Sequence, residues 1–436
     1  MRIRSSFAAS VTLGAVAVLT TGCLSSGGSG GGGNANTSNT ISVMYAFSGG
    51  QEEGFKTEVN KWAKDNDVTV KFAQTGNFNQ LINTKVQGND APDVALFPQP
   101  GIMKDMADRD LLADLSSVVD KGDLDAMVPG VLKTGQVDGK QYAVPMSINV
   151  KSIVFYPKKA AQAAGLASPP QTLDELTALS QKIAGTGTTP WCFGIESEAA
   201  TGWPATDWVE NLMVINYGAD VYNQWVNHEI PFNDPRVLDV LNQIDKLLLA
   251  DGMTNGGRQS IASSNFNTAA NPMFDQPPGC YMYRQGNFVA QQGGFPDAVI
   301  KDLDNTVGVF PMPGKTAEDK PVLGGGDLAG IFSKDNESAK KFVQFLASKD
   351  FGTSAYGASG NWISPRTDFD LSLYPNKTEA AIADVAYHST AFVFDGSDQM
   401  PGEVGSGSFW KDMTAWISGQ EDAKTALDNI EASWPS

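Results

Sequence analysis

Residues 137–161, VDGKQYAVPMSINVKSIVFYPKKAA, constrain this chain more than any other stretch. Asp138-Gly139 is a hairpin turn signal, because both central positions of a tight hairpin favour residues that tolerate positive φ. A strand over residues 141–144 should come next, and Pro145 removes a ladder donor at its end. Residues 148–156 read as a second strand, rich in branched and aromatic side chains. Helical sequence lies on both sides of this block, so it reads as the connector of a two-lobed protein. The length of 436 residues, more than one typical core, agrees.

Before the connector, strand and helix signals alternate. Residues 41–47 read as a strand, and Phe55, Val59, Trp62 and Ala63 then recur at helical spacing. Residues 68–73 form a second strand, Phe78, Leu81, Ile82 and Val86 mark a second helix, and residues 93–97 a third strand. Such alternation predicts a parallel sheet with right-handed crossovers. Ligands of such sheets sit outside the carboxyl ends of the strands. That rule puts Ser48, Gln51 and Glu52, after strand one, at the same rim as Gln99, after strand three.

Beyond the connector, Thr172 and Glu175 form a capping box that opens a helix. An amphipathic helix is expected over residues 235–250, a strand-to-helix turn over 281–292, and a strand over 307–313 returning to the first lobe. A helix over 338–346, another crossing at 360–366 and a helical C-terminus complete the reading.

The N-terminus reads as a targeting segment. Arg2 and Arg4 precede an apolar run of 13 residues, 7–19, too short for a bilayer span of roughly 20. Thr20-Thr21-Gly22-Cys23 is similar to a bacterial lipobox, which implies a signal peptide over 1–22 and lipidation of Cys23. Residues 24–40 have the composition of a flexible tether with a reach of roughly 20–25 Å. Together these predict lipid anchoring on the outer face of a Gram-positive-type cytoplasmic membrane. Removing Cys23 leaves Cys192 and Cys280, an even number in an exported chain, and these are expected to pair.

Composition narrows the function. A net charge of −18 argues against nucleic-acid and anionic-membrane surfaces, which need basic patches. With only His228 and His388 present, a catalytic His or a multi-His metal site is nearly excluded. No GxSxG elbow occurs beyond the Gly/Ser tether, no Walker A loop or HExxH motif occurs, and no Lys-Ser/Thr follows the glycine run 324–326. No cofactor or metal is called for.

Binding fits better. A neutral sugar offers hydroxyls and apolar C–H faces, so its site needs aromatic rings and planar polar groups. Residues 202–208, GWPATDW, hold that mixture: Pro204 fixes a turn beside Trp203, and Asp207 lies one helical turn on. Trp62, Trp191, Trp208 and Trp416 read as packing, and His228 as structural.

The connector, with its YxVP and FYPKK segments, resembles the interlobe crossing of the extracellular solute-binding proteins of ABC importers, the carbohydrate-binding group. GWPATDW, WVNHEIPFNDP, PPGCYMYRQ and ALFPQPG resemble motifs of the α-glucoside-type binding proteins of actinobacterial importers. The similarity covers residues 41–436. It implies an α/β, periplasmic-binding-protein-like fold, two lobes joined by a three-crossing hinge with the ligand cleft between them. Lobe one would comprise 41–148 with 306–358, and lobe two 149–305 with 359–436. The resemblance implies ligand contacts from Ser48, Gln51, Glu52, Phe97 and Gln99 of lobe one, and from Asn149 and Lys151 near the hinge. Trp203, Asp207, Arg284, Gln285 and Phe288 would come from lobe two, with Gly326, Asp327, Trp362, Arg366 and Trp410 completing the rim. Blander roles stay open: a helix-dipole partner for Glu52, an ion pair for Arg284, a tight turn for the glycines. The expected function is capture of an oligosaccharide, an α-glucoside, by a monomer that delivers it to ABC permease transmembrane subunits. The alternatives are a secreted glycoside-processing enzyme and an adhesion or scaffold lipoprotein.

Overall fold

The computed structural model describes residues 39–435 apart from 291, 292 and 361, and leaves the side chains of 161 and 163 undescribed. The expected signal peptide, the lipidated Cys23 and all but the last residues of the tether lie outside the described residues. No helix among the described residues is long and apolar enough to cross a membrane.

The strands, in chain order, are β1 (Thr40–Tyr45), β2 (Thr69–Gln74), β3 (Val94–Phe97), β4 (Gln136–Val137), β5 (Lys140–Gln141), β6 (Ala143–Pro145), β7 (Asn149–Val150), β8 (Ile153–Pro157), β9 (Tyr283–Gln285), β10 (Val307–Pro311), β11 (Pro321–Gly325), β12 (Leu328–Ile331) and β13 (Ala391–Phe394). The first sheet has the order β2-β1-β3-β12-β6. β1 runs parallel to β2 and β3, joined through the helices Gly49–Asp65 and Phe78–Gln87, as the alternating pattern predicts. The sheet is not parallel throughout. β12 lies antiparallel between β3 and β6, because β12 and β6 come from chain crossing between sheets rather than from βαβ units.

β8, β9 and β10 make an antiparallel second sheet. β10 therefore does not lead back to the first lobe, as residues 307–313 were expected to do: Val307 pairs with Pro157 and Pro311 with Ile153. The return comes later. β11 pairs in parallel with β13 and antiparallel with β7, which sets Gly325 opposite Asn149. Three residues on, Leu328 of β12 pairs with Pro145 of β6 in the first sheet. The strand expected over 148–156 is likewise divided between β7 and β8. At the break the Lys151 amide donates to the Leu323 carbonyl, and the Leu323 amide donates to Ser152 Oγ.

Two chain segments thus pass side by side between sheets, at 145–149 and 325–328. A third runs beside them, where Ile363 bridges Ile148 and Arg366 bridges Met127. The fold is the two-lobed α/β arrangement, with these crossings as its waist. The 138–139 turn is as read: Asp138 and Gly139 have φ of 50° and 77°, closing the β4–β5 hairpin. Cys192 and Cys280, 88 residues apart and both buried, form a disulfide with Cα atoms 5.4 Å apart.

Candidate functional site

The helix Trp203–Val226 supplies one wall of the waist. Gly202 is its N-cap at φ 117°, and a Cβ there would meet the Trp410 carbonyl oxygen, so only glycine lets this helix start against the one at Trp410–Ile417. Pro204 is tolerated in the first turn, where no intrahelical donor is lost. From that start, Trp203, Asp207, Glu210 and Asn211 recur three and four residues apart on one face. Asp207, Glu210 and Asn211 are fully buried.

That face meets Lys151, which the break between β7 and β8 turns inward. Its ammonium lies 3.0 Å from Asp207 Oδ1, hydrogen-bonds Asp395 Oδ2 more closely, and sits 5.0 Å from the centre of the Trp203 ring. Arg284 of β9 stands behind, 3.6 Å from Asp207 Oδ2 and 5.5 Å over the Trp208 ring, with Nε donating to Asn211. Glu210 accepts the amides of Gly396 and Ser397 at 2.7 and 3.1 Å and the Tyr222 hydroxyl at 3.2 Å. It thereby holds the turn that comes after β13. Asp395 caps that turn, accepting from Ser397 Oγ and the Asp398 amide.

The electrostatics arise from burial. Desolvation opposes a charge on Lys151, but Asp207, Asp395 and Asp398 outweigh it and raise its pKa, so it stays protonated. Desolvation also works against Asp395, yet the Lys151 ammonium holds its carboxyl below the usual range. Burial wins for the others. Asp207 is pushed up to about 7, against the attraction of Lys151, and Asp398 to about 8, helped by the charge of Asp395. Burial lifts Asp327 to about 6 and raises Glu210 well above its ordinary value. Asp207, Glu210 and Asp395 bring carboxylate oxygens within 4.8 Å of one another, the spacing of a cation site. The Lys151 ammonium already pairs with two of them and supplies that charge.

In front of this network lies a cavity of about 250 Å³, walled by Pro98, Asn149, Lys151, Trp203, Phe288, Gly325, Gly326, Asp327, Asp395, Ser397, Asp398 and Trp410. Trp203 and Phe288 meet edge to face at 5.8 Å, and Trp410 Nε1 donates to Ser397 Oγ. Gly326 has φ 151°, and a Cβ on it would strike the Ser147 carbonyl oxygen. Here the glycine run serves close backbone approach at the waist. Asp327 is 7% exposed, accepting from Ser147 Oγ while it lines the cavity.

Of the residues singled out in the sequence, Asn149, Lys151, Trp203, Phe288, Gly326, Asp327 and Trp410 come together here. Asp207, Arg284 and Gln285 are buried outside the cavity wall, the first two in the network behind it. Gln99 stands at the edge, its Nε2 donating to Asp398 Oδ1 at 3.0 Å. The others lie elsewhere. Ser48 is exposed and lines no part of the cavity, Gln51 donates to the Tyr356 hydroxyl, and Glu52 pairs with Lys56 and accepts from Tyr45. Phe97 is fully buried against Phe78, because it belongs to β3 rather than to the loop after it. Trp362 is 1% exposed, stacked on Tyr356 and donating to the Met146 carbonyl. Arg366 is held by Asp123 and Asp368, away from the cavity. His228 stacks on Trp434 and contacts Glu431. Glu210, Asp395, Ser397 and Asp398 were not singled out in the sequence. A signal was there: Asp395-Gly396-Ser397-Asp398 ends a β-rich run, where ligand loops of such sheets sit.

The family profile of bacterial extracellular solute-binding proteins matches residues 48–352. The chain is 35% identical over 397 residues to the osmoprotective compounds-binding protein GgtB of Synechocystis sp., covering 91% of this chain and 92% of that one. It is 34% identical over 407 residues to the alpha-glucosides-binding periplasmic protein AglE of Rhizobium meliloti, covering 91% and 87%. Among solved structures, the bacterial solute receptor AcbH superposes with a TM-score of 0.74 at 18% identity, over 90% of this chain and 98% of that one. Maltose-bound MalE3 of T. maritima gives 0.67 at 19%, over 90% and 98%. Fold, waist and sequence agree: the chain belongs to the bacterial extracellular solute-binding protein family.

Proposed function

We propose that the cavity at the waist binds a sugar, an α-glucoside, and that this protein captures it for an ABC importer. The observation that carries the reading is the wall itself. Three aromatic side chains, Trp203, Phe288 and Trp410, share one cavity with the carboxyl groups of Asp327 and Asp398 and the amide of Asn149. Rings cover the C–H faces of a sugar, and carboxyl and amide groups exchange hydrogen bonds with its hydroxyls. The name of AglE, an alpha-glucosides-binding protein, supports the same class of ligand. Closure of the lobes on the sugar is the signal a permease reads. The lobes are inferred as 41–148 with 326–358 and 149–325 with 359–436; the boundary expected at 306 moves because β10 and β11 pair with second-lobe strands. A lipid on Cys23 holds the monomer on the outer membrane face.

A thermal-shift screen against mono- and oligosaccharides tests this. A ligand that binds only the folded state stabilises it by about 2.7 kcal/mol at a hundredfold excess over Kd. A shift with maltose-type sugars supports the α-glucoside. A shift with another glycan alone keeps sugar capture and discards the α-glucoside. Turnover of a chromogenic glycoside would revive the enzyme, and silence with every sugar the scaffold.

A further inference from the structure

Asp398 borders more than the cavity. Ser397 and Asp398 also wall a second groove of about 610 Å³, between the helix Pro100–Asp108 and the segment 397–402. A hydrogen bond stands where the two meet, Gln99 Nε2 to Asp398 Oδ1 at 3.0 Å, with Asn79 donating to the other end of the Gln99 amide. The backbones approach closely beside it: a Cβ on Gly101 would lie 3.1–3.3 Å from the carbonyl oxygens of Asp398, Gln399 and Met400. The groove combines the apolar Ile102 and Pro401 with the polar Asn83 and Lys104. Lys104 is partly buried, and burial pushes its pKa down despite nearby Asp108. Among the described residues its ammonium has no hydrogen-bond or ion-pair partner. A half-sheltered cation beside apolar surface, in a groove that shares Ser397 and Asp398 with the cavity, lacks an acceptor among the described residues.

We propose that the groove is the second half of the ligand site, and that an oligosaccharide too long for the cavity extends into it. Such a ligand passes Asp398, replaces the Gln99–Asp398 hydrogen bond and lays its further units on Ile102 and Pro401. Lys104 donates to their oxygens. The cavity alone is smaller than the range of about 300–1,000 Å³ typical of small-molecule sites, and the groove brings the site within it. This inference rests on the sugar reading above and adds that the site selects by chain length.

Calorimetric titration of the protein with maltose, maltotriose and maltotetraose separates the two. The expected result is affinity rising about tenfold from the disaccharide to the longer sugars, the size of one hydrogen bond from a charged donor. Lys104→Met should collapse that ratio toward one. Gln99→Ala should raise the ratio, because the longer ligand then has no bond to displace. Affinity that is flat or falling with length, or a ratio indifferent to Lys104→Met, would overturn the inference while leaving sugar capture intact. No binding of any member would overturn the inference together with the α-glucoside reading, and the other glycans of the thermal-shift screen would then decide sugar capture.

Discussion

Lys151 carries a charge that solvent barely reaches, and the groups around it decide how the protein responds to its loss. It faces Asp207 and Asp395, so Lys151→Met leaves two buried carboxylates without their cation. Removing one partner of such a pair costs about 3–5 kcal/mol. The carboxylates can escape by taking up protons, so the loss in denaturation midpoint should be smaller at pH 5 than at pH 8; an equal loss at both would show that they stay ionised. Trp203 is a different kind of residue. It is partly exposed to the cavity and touches Phe266 and Phe288 only edge-on, so little of the core depends on it. Trp203→Ala should abolish or strongly weaken sugar binding while the circular dichroism spectrum is retained, and unchanged affinity would make it a packing residue. Trp203 was legible as a candidate because Pro204 beside it and Asp207 one helical turn on set a ring and a planar polar group on one face at a helix start. Asp395 and Asp398 were not, in a chain where Asp and Glu total 49. Only the fold shows which carboxylates are buried together.

At the scale of elements, local rules read well wherever the cause is local. The Asp138-Gly139 turn, the Thr172 cap accepting from the Glu175 amide, and the helix Glu337–Ala347 all depend on residues within a few positions of each other. The break at Lys151–Ser152 and the pairing of β10 with β8 were not legible, because each is decided by strands from distant parts of the chain. A continuous run of β-formers does not say where it changes sheets. Cysteine pairing lies between these cases: parity pointed to it, and the fold joins the bridge Trp191–Met282 to it, since the Cys192 amide donates to the Met282 carbonyl. A cross-link between residues 88 apart restricts the unfolded chain by about 4–5 kcal/mol on the loop-entropy account. Cys192→Ser with Cys280→Ser should lower the unfolding free energy by about that amount. A double variant as stable as the parent would mean that the backbone pairing alone holds this region.

For the whole molecule, the buried carboxylates set the pH of greatest stability. Asp327, Asp207 and Asp398 have folded-state pKa values of about 6, 7 and 8, above their ordinary value, so the folded protein holds protons that the unfolded chain releases. The stability they contribute is fully present below the ordinary Asp range and is lost as pH rises through 6 to 8. Asp395 and Asp93 are held low and act in the opposite sense, contributing stability that disappears as pH falls below the ordinary range. The melting temperature should therefore peak at mildly acidic pH and decline toward pH 8, and Asp398→Asn should flatten the decline; a melting temperature still climbing at pH 8 would contradict the assignment. On the inferred boundaries, Gly101 and the segment 398–400 belong to different lobes, and their backbones meet. Gly101 faces three carbonyl oxygens of that segment, at distances where an added methyl already crowds. Gly101→Val adds a branched side chain there, and overpacking of this kind costs about 1–3 kcal/mol. Neither lobe's own core contains this contact, so the strain falls on closure and not on folding. Sugar affinity should fall about tenfold or more with the melting temperature of the free protein little changed, and small-angle scattering should show a larger radius of gyration. If affinity fell without that expansion, the valine would be blocking the ligand itself, and the close approach at Gly101 would belong to the groove and not to the hinge.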